Sequence, residues 1–183
     1  MSQPEATSGT ASVPLIGALL ALCALVGLVI MPRLAPAGGK LSGRPAPDFS
    51  LPVIANGDPG ARVKLSELRD KVVVLDFWAS WCGPCAMQAP ILERIAQRHR
   101  DDVVVLGINV CDSPQVARSY VRNKRLSYPN VADDEGEVQA KYGASTLPTV
   151  VLIDRSGNIH TFVQGMLREA AIERAIRSLK STR

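Results

Sequence analysis

The stretch VVVLDFWASWCGPC, residues 72–85, constrains the fold more than any other part of the chain. It starts as a near-continuous apolar run, which predicts a strand buried on both faces of a sheet. It ends in Cys82 and Cys85, and residues 83–99 carry apolar side chains at the three- and four-residue spacing of a helix. Two thiols therefore lie where a buried strand passes into a helix, and one carboxylate, Asp76, lies inside the apolar strand.

Strand and helix patterns alternate along the rest of the chain. Apolar runs separated by turn residues end in a hairpin around the sequence RSGN. Such an order predicts an α/β sheet with both faces covered. The predicted extended segments are 48–54, 61–65, 71–79, 102–110, 128–134, 149–154 and 158–164, and the predicted helices are 83–99, 114–126, 135–142 and 167–180.

The spacing of the two cysteines predicts redox chemistry. Side chains at i and i+3 that open a helix can reach each other, and the unpaired N–H groups at a helix N-terminus favour a thiolate. Cys82 lies at that terminus, whereas Cys85 lies one turn further in and should be less exposed. Cys82 is therefore predicted to attack a substrate disulfide and Cys85 to resolve the mixed disulfide.

Other uses of a cysteine pair fit the sequence less well. A structural zinc site needs about four ligands, and the remaining candidates, Cys111, His99 and His160, are scattered. Haem attachment needs histidine directly after the second cysteine, where Ala86 stands. A static structural disulfide stays open as an alternative, although so short a loop would constrain the unfolded chain little. No metal or other cofactor is expected beyond the redox-active pair.

Several motifs together resemble the thioredoxin superfamily: VVVLDFWASWCGPC, STLPTVVLID, the GN that follows and a final amphipathic helix. The sequence PAPDFSLP, the inserted helix 114–126 and the apolar N-terminal segment are similar to the TlpA/ResA thiol-disulfide oxidoreductases, over residues 44–181. The resemblance implies a thioredoxin-like fold, with a central mixed sheet flanked by helices, an N-terminal strand extension and an inserted helix.

The resemblance also implies roles for individual residues. Cys82 matches the nucleophile, Cys85 the resolving thiol and Trp81 the exposed ring beside the nucleophile. Pro148 matches a cis-proline that packs against the disulfide, and Leu147 would offer its backbone to the substrate.

The dipeptide between the cysteines, Gly83-Pro84, is that of thioredoxin and completes the predicted substrate-binding set. It favours a reducing role over the donation of disulfides.

Asp76 matches the buried carboxylate of thioredoxins. Burial should raise its pKa because desolvation disfavours the anion, so this carboxyl can accept the Cys85 proton directly or through water. The sequence departs from the family twice: Gln88 replaces a glutamate of many TlpA/ResA-like proteins, and Gly107 replaces a lysine of thioredoxin. The alternative is a structural carboxyl that is hydrogen-bonded in the core.

The N-terminus predicts a membrane anchor. Residues 13–31 carry no charge and, as a helix, would span roughly 28 Å, close to the hydrocarbon thickness of a bilayer. Residues 1–12 then form a tail, 32–47 a flexible tether and 48–183 the folded domain. Cleavage at Ala35-Pro36-Ala37 stays an alternative. Basic residues after the apolar run favour a cytoplasmic domain, whereas the resemblance implies an extracytoplasmic one.

The resemblance implies a single-pass protein of the cytoplasmic membrane whose domain faces the periplasm and reduces protein disulfides. Apocytochrome c is the suggested substrate, and an upstream membrane thiol donor would recharge the enzyme. The net charge of +4 is dispersed, with few aromatic residues nearby, so no nucleic-acid binding is expected.

Two other functions stay open. A peroxiredoxin-like peroxidase would share the sequence PAPDFSLP. It would also carry a threonine three residues before its reactive cysteine, and here Ala79 occupies that position before Cys82. A copper chaperone of this fold would use a longer CxxxC spacing. Cys111 is predicted to be a small, semi-buried residue, with a second redox thiol as the alternative.

Overall fold

Residues 41–58 and 60–181 are described by a computed structural model, and the predicted anchor at 13–31 lies outside them. No helix in this described part is both long and apolar enough to cross a membrane. The strands are β1 Ser50–Ala55, β2 Arg62–Lys64, β3 Val72–Trp78, β4 Val103–Val110, β5 Asn130–Asp133, β6 Thr149–Ile153 and β7 Ile159–Gln164. The helices are α1 Gly83–Arg98, α2 Pro114–Lys124, α3 Glu137–Tyr142 and α4 Glu169–Ser181, with a 3-10 turn at Leu65–Leu68.

The strands form one mixed sheet in the order β2-β1-β5-β4-β3-β6-β7. β3, β4 and β5 run parallel, whereas β6 is antiparallel to both β3 and β7. Every residue of β3 is buried, as its apolar sequence predicted. β7 runs in the same direction as β3, β4 and β5. The carboxyl ends of these four strands therefore meet at one edge of the sheet. The predicted thioredoxin-like α/β fold is confirmed, together with the additional N-terminal strands and the inserted helix α2.

Aromatic contacts distinguish the two faces of the sheet. On one face, the Trp78 ring stacks on Tyr120 of α2 with 4.5 Å between ring centroids. Phe77 points to the opposite face and contacts Tyr142 of α3, with centroids 5.4 Å apart. Since side chains alternate along a strand, Asp76 lies on the same face as Trp78.

The end of the predicted tether is attached to the domain. Gly43 donates a backbone hydrogen bond to Ile159 at 2.7 Å, and Ile159 donates one to Arg44 at 2.8 Å. Ala46 donates to Gly157 at 2.9 Å. The predicted flexible tether spans residues 32–47, and these bonds join residues 43–46 of it to the β6–β7 hairpin. Proline and glycine in this segment indicated a linker, whereas the bonds depend on a hairpin more than 100 residues away in the sequence.

Candidate active site

The two cysteines are joined where β3 passes into α1. Cys82 and Cys85 form a disulfide with 5.3 Å between their Cα atoms. Cys82 is the N-cap residue of α1, and its sulfur accepts a hydrogen bond from the Cys85 backbone N–H at 3.1 Å. The same N–H and the helix dipole would stabilise a thiolate at Cys82 in the reduced protein. The Cys82 side chain is 5% exposed and that of Cys85 only 1%, which is the predicted order.

A carboxylate from the neighbouring strand end fixes the segment before Cys82. Asp112 accepts hydrogen bonds from the backbone N–H and the hydroxyl of Ser80, both at 2.7 Å. It also accepts one from the side-chain amide of Asn109 at 2.8 Å. Asn109 pairs with Trp78 across the sheet, so these bonds join the ends of β3 and β4 directly before the redox motif. No role was predicted for Ser80 or Asp112, although each lies two residues after the end of a buried strand.

Asp76 is buried below the motif on β3. Desolvation raises its pKa from the ordinary value of 3.8 to about 7. One of its oxygens, Oδ1, is buried and receives no hydrogen bond from the described residues, so no bond to this oxygen offsets the cost of burying the anion. The alternative of a fully hydrogen-bonded structural carboxyl is therefore disfavoured. A carboxyl whose pKa is raised this far toward neutrality can both accept and release a proton.

Asp76 lies on the face of the sheet that α1 and α2 cover. Burial raises the pKa of Tyr128, and the charges of Asp76 on β3 and Glu93 on α1 raise it further. Burial and the charge of Asp76 also raise the pKa of Tyr120, to about 12. The hydroxyls of both tyrosines are buried without a partner among the described residues. Burial therefore raises the pKa of Asp76 and of both phenols in the same region of the core.

The packing around Gly107 leaves no room for a lysine side chain at this position beside Asp76. Gly107 pairs with Asp76 on one side and with Asn130 on the other. A Cβ atom at Gly107 would lie 2.1 Å from Asn130 Oδ1 and 2.9 Å from the indole nitrogen of Trp78. That space is filled because Trp78 donates a hydrogen bond to Asn130 Oδ1 at 3.1 Å.

The loop before β6 lies at the same edge of the sheet as Cys82. The Leu147–Pro148 peptide bond is cis, as the resemblance implied. Pro148 is buried, whereas Leu147 is partly exposed. The carbonyl of Pro148 accepts a hydrogen bond from the Gly165 N–H at 2.7 Å, which joins the loop to the end of β7.

Exposed apolar side chains surround the redox motif. Trp81 is 66% exposed, as predicted, and Gly83 and Pro84 are also exposed. Met87 on α1 and Met166 after β7 are exposed at the same edge of the sheet. Neither methionine was predicted to be a site residue, because a methionine in an amphipathic helix or after a strand gives no sign of which way it points.

Cys111 was predicted to be semi-buried, and this prediction was wrong. It is an exposed free cysteine with a φ of 60°, in the left-handed region. The chain leaves the sheet at Val110, and Asp112 turns back to bind Ser80. The residue between them therefore takes a turn conformation and faces solvent.

The fold and the site together define a class: a thioredoxin-like domain with a redox-active cysteine pair at the start of a helix. A family model described as AhpC/TSA matches residues 42–162. The thiol-disulfide oxidoreductase ResA of Geobacillus kaustophilus is 30% identical over 164 residues, covering 88% of this chain and 92% of that protein. The thiol:disulfide interchange protein DsbE of Xylella fastidiosa is 34% identical over 140 residues, covering 76% of this chain and 69% of that protein. A solved DsbE structure from Chlorobium tepidum has a TM-score of 0.69 at 29% identity, covering 78% of this chain and 99% of that one.

The chain therefore belongs to the AhpC/TSA family and, within it, to the thiol-disulfide oxidoreductases related to ResA and DsbE. It is an enzyme of disulfide exchange, and the predicted membership of the thioredoxin superfamily is confirmed.

Proposed function

We propose that this protein reduces disulfides of extracytoplasmic proteins, with oxidised apocytochrome c as its substrate. The observation that carries the proposal is the Cys82–Cys85 pair at the start of α1, next to exposed Trp81. Apocytochrome c fits because the two cysteines of its C-x-x-C-H motif must be free thiols before haem is attached. An exposed indole supplies apolar contact area for a polypeptide around such a disulfide.

The reaction transfers two electrons in two exchanges. The Cys82 thiolate attacks one sulfur of the substrate disulfide, which forms a mixed disulfide and releases the other substrate sulfur as a thiolate. Cys85 then gives its proton to Asp76 and attacks the Cys82 sulfur. This step forms the Cys82–Cys85 disulfide and releases the second substrate sulfur as a thiolate, which can take the proton back from Asp76 or from water. Asp76 suits the proton transfer because burial raises its pKa to about 7, close to neutral pH.

A membrane thiol donor would return the oxidised pair to the dithiol. The proposed anchor is the uncharged run at 13–31, and the domain would face the periplasm. The positive-inside rule weakens for large translocated domains, so the basic residues after this run do not decide the orientation. Protease added to spheroplasts should remove the domain, and protection until the cells are lysed would refute this orientation.

The substrate proposal is tested with a disulfide-bonded C-x-x-C-H peptide. Wild-type dithiol protein should reduce it, and a Cys85→Ser variant should hold it as a stable mixed disulfide on Cys82. The matched control is Cys111→Ser, which should reduce the peptide at the wild-type rate. Efficient reduction of an unrelated protein disulfide, with no turnover of the peptide, would refute apocytochrome c while leaving disulfide reduction intact. Peroxide consumption and copper titration test the two alternative functions.

A further inference from the structure

Gln88 joins the redox helix to the segment after β7. Its side chain is fully buried. The Leu167 N–H donates to Gln88 Oε1 at 2.8 Å, and Gln88 Nε2 donates to the Leu167 carbonyl at 3.2 Å. The amide thus binds both polar groups of one backbone residue, 79 positions away in the sequence.

The segment bound by Gln88 is also bonded to the cis-proline loop. The Gly165 N–H donates to the Pro148 carbonyl at 2.7 Å. Gln164 accepts a hydrogen bond from the Ser145 hydroxyl at 2.8 Å and donates one to the Gly143 carbonyl at 3.2 Å. Residues 164–167 therefore connect the cis-proline loop on one side with α1 on the other.

Two exposed methionines flank this connection. Met87 precedes Gln88 and is 56% exposed, and Met166 precedes Leu167 and is 42% exposed. The amide–backbone pair sets the position of Met166 relative to Met87 and Cys85. Exposed apolar side chains beside a reactive site mark a surface for a polypeptide partner.

We propose that Gln88 is a positioning residue for protein substrates, because it holds the 165–167 segment and the cis-proline loop at a fixed place beside the redox helix. The inference rests on thiol-disulfide exchange at Cys82 and concerns how a polypeptide is held there. A small disulfide substrate needs access only to the reacting sulfur of Cys82. Its reduction should therefore not depend on Gln88.

An amide fits this position at any pH because Leu167 presents both a donor and an acceptor. A protonated carboxyl could replace the amide, since its O–H would donate to the Leu167 carbonyl and its other oxygen would accept from the N–H. An ionised carboxylate accepts only, so one oxygen would face the carbonyl without a proton between them. Gln88→Glu should therefore make the connection dependent on pH.

Several titratable groups lie on the elements packed around Gln88. They are Asp76 on β3, Cys85 on α1, and Arg168 and Glu169 after Leu167. Glu169 is already paired with Arg94 and Arg98, at 2.8 Å and 3.1 Å. Each of these groups is also present in the wild type, so a comparison with wild type at each pH removes the titration that they show without the introduced carboxyl.

The test measures KM and kcat at about pH 5 and about pH 8.5 for a disulfide-bonded protein and for 5,5′-dithiobis(2-nitrobenzoate). For Gln88→Glu, the protein-substrate KM should match wild type at the lower pH. At the higher pH it should rise about tenfold, equivalent to about 1.4 kcal/mol of binding. Reduction of the small disulfide should equal that of the wild type at both values.

Two further variants complete the design. Gln88→Met has no donor for the Leu167 carbonyl and only a weak acceptor for its N–H, so it should raise the protein-substrate KM at both pH values. Gln115→Glu adds the same charge at an exposed position of α2 and should behave as wild type.

Three results would overturn the proposal. The first is a wild-type KM for the protein substrate in Gln88→Met. The second is an equal loss of activity toward the protein and the small disulfide in that variant. The third is a KM in Gln88→Glu that changes with pH as it does in the wild type. If Gln88→Glu unfolds at the higher pH, the Gln88→Met comparison decides. Failure of the wild type to reduce either disulfide would instead refute thiol-disulfide exchange itself.

Discussion

Replacing Asp76 with asparagine should remove a large pH dependence from the stability of the oxidised protein. Burial raises the pKa of Asp76 from 3.8 to about 7. Between these values the folded protein keeps a proton that the unfolded chain has lost, so stability falls as pH rises. A pKa difference of about 3 between the two states corresponds to a loss of about 4 kcal/mol. Below about pH 4 the carboxyl is protonated in both states, and above about pH 8 it is ionised in both.

The assay is chemical denaturation of the two oxidised proteins at about pH 4, 6 and 8. The disulfide prevents Cys82 and Cys85 from titrating, and the surface carboxylates are common to both proteins. The stability of Asp76→Asn minus that of wild type should increase by about 4 kcal/mol across this range. Asp134→Asn, which removes an exposed carboxylate at the same edge of the sheet, should give a nearly constant difference. Parallel curves for Asp76→Asn and wild type would show that this carboxyl ionises normally.

The same substitution tests the proton-transfer role. Asparagine cannot accept the Cys85 proton, so resolution of the mixed disulfide should slow on the order of 10²–10⁴-fold near neutral pH. Stopped-flow measurement of substrate release reports this step directly. A variant with the wild-type rate and pH profile would contradict the role of Asp76 as a base.

Three other substitutions test the site. Cys82→Ser should abolish disulfide reduction. Brief alkylation of the reduced wild type near neutral pH should label Cys82 before Cys85. A peptide map with the reverse order would make Cys85 the attacking thiol and Cys82 the resolving one. Gly107→Ala should cost about 2–3 kcal/mol, because its Cβ would meet Asn130 Oδ1 at 2.1 Å; an unchanged denaturation midpoint would show that Asn130 can move. Trp81→Ala should raise KM for a protein disulfide several-fold with little change in stability, since the ring is largely exposed; an unchanged KM would remove Trp81 from the substrate surface.

The sequence predicted those features that depend on local patterns. The apolar run of β3 and the helical spacing of α1 placed Cys82 and Cys85 at their junction, and the structure has them there. Burial of Asp76 followed from its neighbours in an apolar strand, and the direction of its pKa followed from burial. These inferences needed no knowledge of which segments meet in space.

Contacts between distant side chains and backbone could not be predicted in this way. Asp112 binds Ser80 across 32 positions of sequence, and Gln88 binds Leu167 across 79. Ordinary residue types make both contacts, and only the order of strands in the sheet brings them together. Cys111 was misjudged for a related reason, since its exposure depends on how Asp112 turns back toward β3.

The position of β7 has a consequence for the newly synthesised chain. Cys82 and Cys85 are made before β6, β7 and the Gly165–Leu167 segment that completes the site. A nascent or truncated chain would therefore carry reactive thiols without the loop that aligns a substrate. The segment that Gln88 binds lies 79 positions later in the chain, so substrate selectivity should appear only after the last hairpin has been synthesised and has docked. Until then the thiol pair is open to non-selective oxidation, so the order of synthesis itself creates a period of chemical vulnerability.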